Sequence, residues 1–282
     1  MTYATSRAHV QLSKFVAMYV CPTCKATLDA WRCTRCQHSY TLSNGFPVLL
    51  PKDTPFSGAM EAVEAYEDIY THHSNVWENQ GRTPEFLTYF SGLLREHSKG
   101  RLLEVGCGEG LLLSQINAEQ KVGTELSVQA LVKTQARTAA QLCIALGEHL
   151  PFADGSFDLV TSVGVMEHFI DDRAASAEIR RVLRDQGHYV MLIHVHLTAW
   201  QRAQQKVAEY LFPRPRPLRL LKWLVGKFYK PVHQPVQNTY TIETATACLQ
   251  AAGLRVQKLI HRQNSPAAPL IGPHVVIFVC EK

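Results

Sequence analysis

Leu102-Leu103-Glu104-Val105-Gly106-Cys107-Gly108-Glu109-Gly110 reads as an apolar strand that runs into three alternating glycines. Glycine has no Cβ, so such a turn can take positive φ and lay bare amides beside a ligand; this points to a nucleotide-like cofactor and hence to an enzyme. The spacing is not the dinucleotide fingerprint G-x-G-x-x-G, and no Gly-Lys-Ser/Thr follows to make a P-loop. Taken alone, the turn would serve equally well for packing a strand against a helix.

The residues that follow narrow the choice. Lys121-Val122-Gly123-Thr124-Glu125-Leu126-Ser127 reads as a second short strand with Glu125 at its carboxyl end, where a carboxylate can accept two ribose hydroxyl bonds. A helical pattern from about Val128 to Ala140 and a third strand come next, and then a loop and fourth strand over residues 150–160. After Thr161 to His168, a helix closes on Arg180-Arg181-Val182-Leu183-Arg184-Asp185-Gln186-Gly187 and leads into a buried fifth strand from His188 to His196.

In this order of motifs, residues 100–196 resemble the core of a class I S-adenosylmethionine-dependent methyltransferase. The resemblance implies an α/β fold: a Rossmann-like seven-stranded sheet with helices on both faces. It implies that Glu104, Gly106, Cys107, Gly108 and Gly110 form the cofactor turn and that Glu125, with Leu126, holds the ribose. The family's loop after the third strand often reads G-D-A-E-x-L-P-F, its Asp accepting from the adenine amino group. Here the run is Ala145-Leu146-Gly147-Glu148-His149-Leu150-Pro151-Phe152, with Leu146 in the place of that Asp. Apolar packing by Leu146 with a backbone bond at Gly147, or a rescue by Glu148, would have to substitute. The family's Pro-Gly-Gly before the fifth strand is likewise altered, to Asp185-Gln186-Gly187.

With 282 residues and 46% hydrophobic content, the chain can bury a full α/β sheet and carry a small module besides. It holds no uncharged apolar run of about 18 residues, and polar residues interrupt every short apolar run near the start, so a cytoplasmic location is expected. A net charge of +5 is modest; any basic partner surface must be local. Cys107, Cys143, Cys248 and Cys280 are scattered and read as small core residues.

The other four cysteines form two C-x-x-C knuckles, Cys21-Pro22-Thr23-Cys24 and Cys33-Thr34-Arg35-Cys36. Two such knuckles complete the closed tetrahedral shell of a structural zinc ion, with Cys21, Cys24, Cys33 and Cys36 as ligands or His38 in place of Cys36. Residues 1–52 are too few to hold a core of their own, so metal binding would supply much of their folding free energy. Asn44-Gly45 between apolar runs signals a hairpin. The module resembles the Trm112-like zinc ribbons fused to methyltransferases, which serve RNA-modifying and small-molecule enzymes alike.

Residues 53–99 read as a linker and a helical segment, with an acidic helix from Ala59 to Tyr70; Tyr66, Tyr70, His73 and Trp77 either cover the cofactor mouth or pack on the sheet. The methyltransferase domain is expected over 100–282, interrupted at 197–239 by a basic helical lid. In that stretch Arg214, Arg216 and Arg219 interleave with prolines and bulky apolar residues, and Tyr240 follows. The lid reads three ways: as a solvated face, as a binding surface for an anionic or lipid-like acceptor with peripheral membrane contact, or as an RNA grip with Arg32 and Arg35 of the ribbon. A helix from Thr241 to Ala252 capped by Gly253, and strands at Leu254 to Ile260 and Val275 to Cys280, complete the sheet, with residues 266–273 as a wall of the substrate pocket.

Where the acceptor must lose a proton, imidazole is the natural base, and His168, His194 and His196 fall after strands four and five. His194 and His196 share one face of their strand, and His196 lies nearer its end. The expected reaction is methyl transfer to oxygen, nitrogen or carbon of a small-molecule or lipid-like acceptor, or alternatively to RNA.

Overall fold

The computed structural model describes residues 19–52, 57–72, 82–97, 100–196, 238–261 and 274–282. The lid with Arg214, Arg216 and Arg219, the 266–273 wall, His73 and Trp77 lie outside them. Four short strands come first: β1 (Leu28–Asp29), β2 (Arg32–Cys33), β3 (Thr41–Ser43) and β4 (Phe46–Val48). Helices α1 (Ser57–His72) and α2 (Pro84–Arg95) precede the parallel core of β5 (Arg101–Val105), β6 (Gln120–Glu125), α3 (Val128–Arg137), β7 (Gln141–Ile144), β8 (Phe157–Val163), α4 (Asp172–Val182) and β9 (Leu183–His194). Helix α5 (Ile242–Ala251), β10 (Arg255–His261) and β11 (Val275–Glu281) close the described chain.

The expected seven strands are present in the order β10-β11-β9-β8-β5-β6-β7, with β11 antiparallel to both neighbours. The sheet itself has nine strands, because the hairpin β3-β4 continues it beyond β7. That extension rests on Val48 pairing with Ile144 and on the Leu49 amide donating to the Ile144 carbonyl at 2.8 Å. Asn44 and Gly45 turn the hairpin with φ of 48° and 83°, the two-residue turn their sequence signals.

Central strands buried on both faces need apolar residues at every position, and the Tyr189–Ile193 stretch of β9 shows it. Tyr189, Met191 and Ile193 join the cluster with α4, α5 and the ribbon, whereas Val190 and Leu192 join the cluster with α2. Helix ends follow local chemistry: Thr83 accepts the Phe86 amide ahead of Pro84, Ser127 accepts from Ala130, and Asp171 accepts from Arg173 and Ala174. One expectation of a layered α/β fold is not met between β5 and β6. The few residues after Gly110 form turns instead of a regular helix, burying Leu111, Leu112, Leu113 and Ile116 directly.

Candidate active site and metal centre

The glycine turn is built as its sequence requires. Gly106 and Gly110 take φ of 66° and 73°, and a Cβ would lie 2.7 Å from Val165 Cγ2 and 2.6 Å from Thr134 Cγ2 respectively. Neither conformation nor space admits another residue. The Gly108 amide donates to Glu125 Oε2 at 2.9 Å, and Glu125 Oε1 accepts from the Leu126 and Ser127 amides at 2.7 and 3.4 Å. The carboxylate thus locks the two strand ends together; burial nevertheless raises its pKa.

Beside it opens a cleft at the carboxyl edge of the sheet. Of the expected cofactor residues, Gly106, Glu125, Leu126, Leu146, Gly147 and Glu148 line it; Glu104, Cys107, Gly108 and Gly110 stand behind the lining. Leu146, Ala145, Val105 and Phe169 give it apolar walls suited to a flat ring. Glu148 is used structurally: its Oε1 accepts the Ile170 amide at 2.7 Å and the Asp171 amide at 3.4 Å, drawing two cleft segments together.

Glu104 is wholly buried and its Oε2 has no hydrogen-bond partner among the described residues. Burial pushes its pKa up to about 8, against the pull of the Arg82 cation. Arg82 was not expected from the sequence; it lies outside every motif, lines the cleft, and donates to the Val163 carbonyl. Tyr66 and Tyr70 of α1 also line the cleft. Their helix is anchored by Glu67, which accepts from Ser127 Oγ at 2.5 Å, and by Lys133, which bridges the Tyr70 carbonyl and Glu109.

The three histidines part company. His168 lines the cleft. His194 is exposed and outside the lining, next to Gly164 of that lining, with Nδ1 2.9 Å from Glu167 Oε1. His196 is exposed and likewise outside the lining; among the described residues its amide donates to the Tyr240 carbonyl. Tyr240, expected beside the substrate, is instead buried, its hydroxyl donating to Asp172 Oδ2 at 2.7 Å.

In the ribbon, the sulfurs of Cys21, Cys24, Cys33 and Cys36 all lie within 4.8 Å of one another, an arrangement able to hold a metal ion. His38 takes no part and packs edge-on against Tyr40. Each knuckle turns through a left-handed residue, Lys25 at φ 58° and Gln37 at φ 62°, and the β1-β2 turn puts Ala30 and Trp31 at positive φ as well. Such non-glycine residues cost about 1 kcal/mol each, which metal ligation can offset.

The comparisons with known proteins agree with this architecture. Residues 103–191 match the family model described as a methyltransferase domain. Malonyl-[acyl-carrier protein] O-methyltransferase of Geobacter sulfurreducens is 32% identical over 33% of this chain and 38% of its own. Ajmaline N-methyltransferase of Rauvolfia serpentina is 25% identical over 48% and 60%. The chain therefore spans less than two thirds of these relatives' length. A chain of the Haloferax volcanii Trm112 methyltransferase activator complex superposes with a TM-score of 0.55 at 13% identity, covering 77% of this chain and 96% of that one. An S-adenosylmethionine-dependent methyltransferase of Thermotoga maritima does so at 0.53 and 18%, covering 78% and 99%. At these identities the structures speak for the fold.

Proposed function

We propose that this chain, which carries a methyltransferase domain, uses S-adenosylmethionine to methylate oxygen, nitrogen or carbon of a small-molecule or lipid-like acceptor, with structural zinc in its ribbon. One observation carries the reading: Glu125 and the glycine turn meet at the mouth of an apolar-walled cleft, within the stretch that matches the domain. When bound, the cofactor supplies an electrophilic methyl group. Glu125 would hold the ribose, Leu146 and Phe169 would enclose the base, and the unpartnered Glu104 oxygen suits a cationic group. The chain's task is then to align acceptor with methyl and to exclude water, for which Tyr66 and Tyr70 of α1 are placed.

Calorimetry with S-adenosylmethionine tests this. A folded, metal-loaded chain is expected to give a saturable isotherm, and Glu125→Gln to weaken it about tenfold or more, roughly 1.4 kcal/mol. An intact chain without saturable heat would remove the reading.

A further inference from the structure

We propose that His194 is the base that takes the acceptor's proton, that Glu167 holds it in the tautomer able to do so, and that the acceptor is accordingly a phenol-like or enolic hydroxyl. This rests on the methyl-transfer reading above. Glu167 lies in the short turn after β8 and is 7% exposed. Its Oε1 accepts the His194 amide at 2.5 Å and sits 2.9 Å from Nδ1 of the same residue. Burial opposes ionisation of Glu167, but the bonds from His194 hold its pKa below the ordinary value. An ionised carboxylate can only accept, so Nδ1 carries the hydrogen and the neutral ring keeps its lone pair on Nε2.

Position completes the argument. Gly164 lines the cleft, and a Cβ built on it would lie 3.7 Å from His194 Cε1 and 3.9 Å from Arg82 Nη2. The imidazole thus adjoins the cleft at Gly164, directly behind a residue of its lining. The other ionisable groups lining the cleft are Tyr66, Tyr70, Arg82, Glu125, Glu148 and His168. Burial and the Glu125 and Glu167 carboxylates raise the Tyr66 pKa well above that of a free phenol, which keeps its hydroxyl neutral.

In the transfer, the acceptor O–H bond breaks with its electron pair left on oxygen and its proton passing to Nε2. The oxygen forms a bond to the donor methyl, and the S–C bond breaks with its pair going to sulfur. The ring, 63% exposed, then releases the proton to water. A phenol near pKa 10 is within about four pH units of an imidazole near 6.5 and must lose its proton in the transfer, whereas a carboxylate acceptor is already deprotonated and an amine sheds its ammonium proton to water before it binds. A carboxylate-backed imidazole suits the first of these.

The full chain is assayed with S-adenosylmethionine tritiated in its methyl group against simple phenols, aliphatic amines and carboxylic acids, with cofactor affinity measured for every variant. Phenols are expected to be labelled, and His194→Asn and Glu167→Gln to lose about 10²-fold or more in kcat while S-adenosylhomocysteine affinity stays within about threefold. Glu167→Asp should recover part of the rate, and His194→Asn should lose the acid limb of the pH profile. Nitrogen NMR of the ring should show hydrogen on Nδ1 in the parent and mixed tautomers in Glu167→Gln. An unchanged rate and pH profile in His194→Asn overturns the assignment, as does labelling of amines, carboxylates or nothing by a chain that binds the cofactor. Failure to bind the cofactor at all instead overturns the methyl-transfer reading, and this assignment with it.

Discussion

Glu104, the penultimate residue of β5, has no solvent and no hydrogen-bond partner for Oε2 among the described residues, so its ionisation is costly in the ligand-free protein. Its pKa rises from an ordinary 4.5 to about 8, which means the folded chain binds the proton more tightly than the unfolded one. The stability this confers is complete below about 4.5 and is lost as pH rises toward 8, by on the order of a few kcal/mol. Thermal melts of the ligand-free chain should fall across that window, and Glu104→Gln should flatten the fall; a slope that persists in the variant would place the titrating group elsewhere. Gly106→Ala should cost about 1–3 kcal/mol from φ alone, and its meeting with Val165 should abolish cofactor binding. At this scale the sequence was readable where chemistry is local: the glycine turn, Glu125, and the alternation that sets His194 and His196 on one face. The pairing of Glu167 with His194 escaped it, because one side chain sits in the turn after β8 and the other at the end of β9, 27 residues on. The ranking of His196 above His194 as base rested on distance along the strand, which says nothing about where the cleft lies.

Among the elements, the ribbon's docking matters most to the cleft. Lys25 Nζ, just past the first knuckle, reaches the Leu150 carbonyl at 3.2 Å and Glu178 at 2.6 Å. The Val20 amide donates to the Pro151 carbonyl, and Arg181 takes the Leu150 and Phe152 carbonyls. All three carbonyls belong to the loop that begins with Leu146, Gly147 and Glu148. Stripping the metal with a chelator is therefore expected to lower the melting temperature and to weaken S-adenosylmethionine binding several-fold, with Lys25→Ala a milder version of the same effect. Metal-free protein with full cofactor affinity would show that loop and ribbon are independent. The knuckles and the Asn44-Gly45 hairpin were legible from residue types. Their union with β7 was not, since one bridging pair and one amide carry no signature in either strand.

For the molecule as a whole, the acceptor is decided by surfaces. No described helix is long and apolar enough to cross a membrane. If the basic stretch grips a small or lipid-like acceptor, replacing Arg214, Arg216 and Arg219 together by alanine should raise the acceptor KM about tenfold or more and leave cofactor affinity unaltered. Equal losses of both would contradict that role. An RNA acceptor would instead give an affinity that falls steeply with salt, and a flat profile with total RNA would exclude it. The seven-stranded sheet was legible because its strands follow from the sequence of motifs; the placement of Tyr66, Tyr70 and Arg82 in the cleft lining was not, since none of them belongs to a motif of the sheet.

The single bridge between Val48 and Ile144 also has a bearing on how the chain is made. Its two halves are separated by roughly a hundred residues, a loop whose closure is slow and costly in entropy. During synthesis the ribbon leaves the ribosome well before its partner strand, with an unpaired edge and four open thiols. Early capture of a metal ion would keep that segment ordered while it waits, so metal supply during translation, more than afterwards, should set how much of the protein reaches its native form.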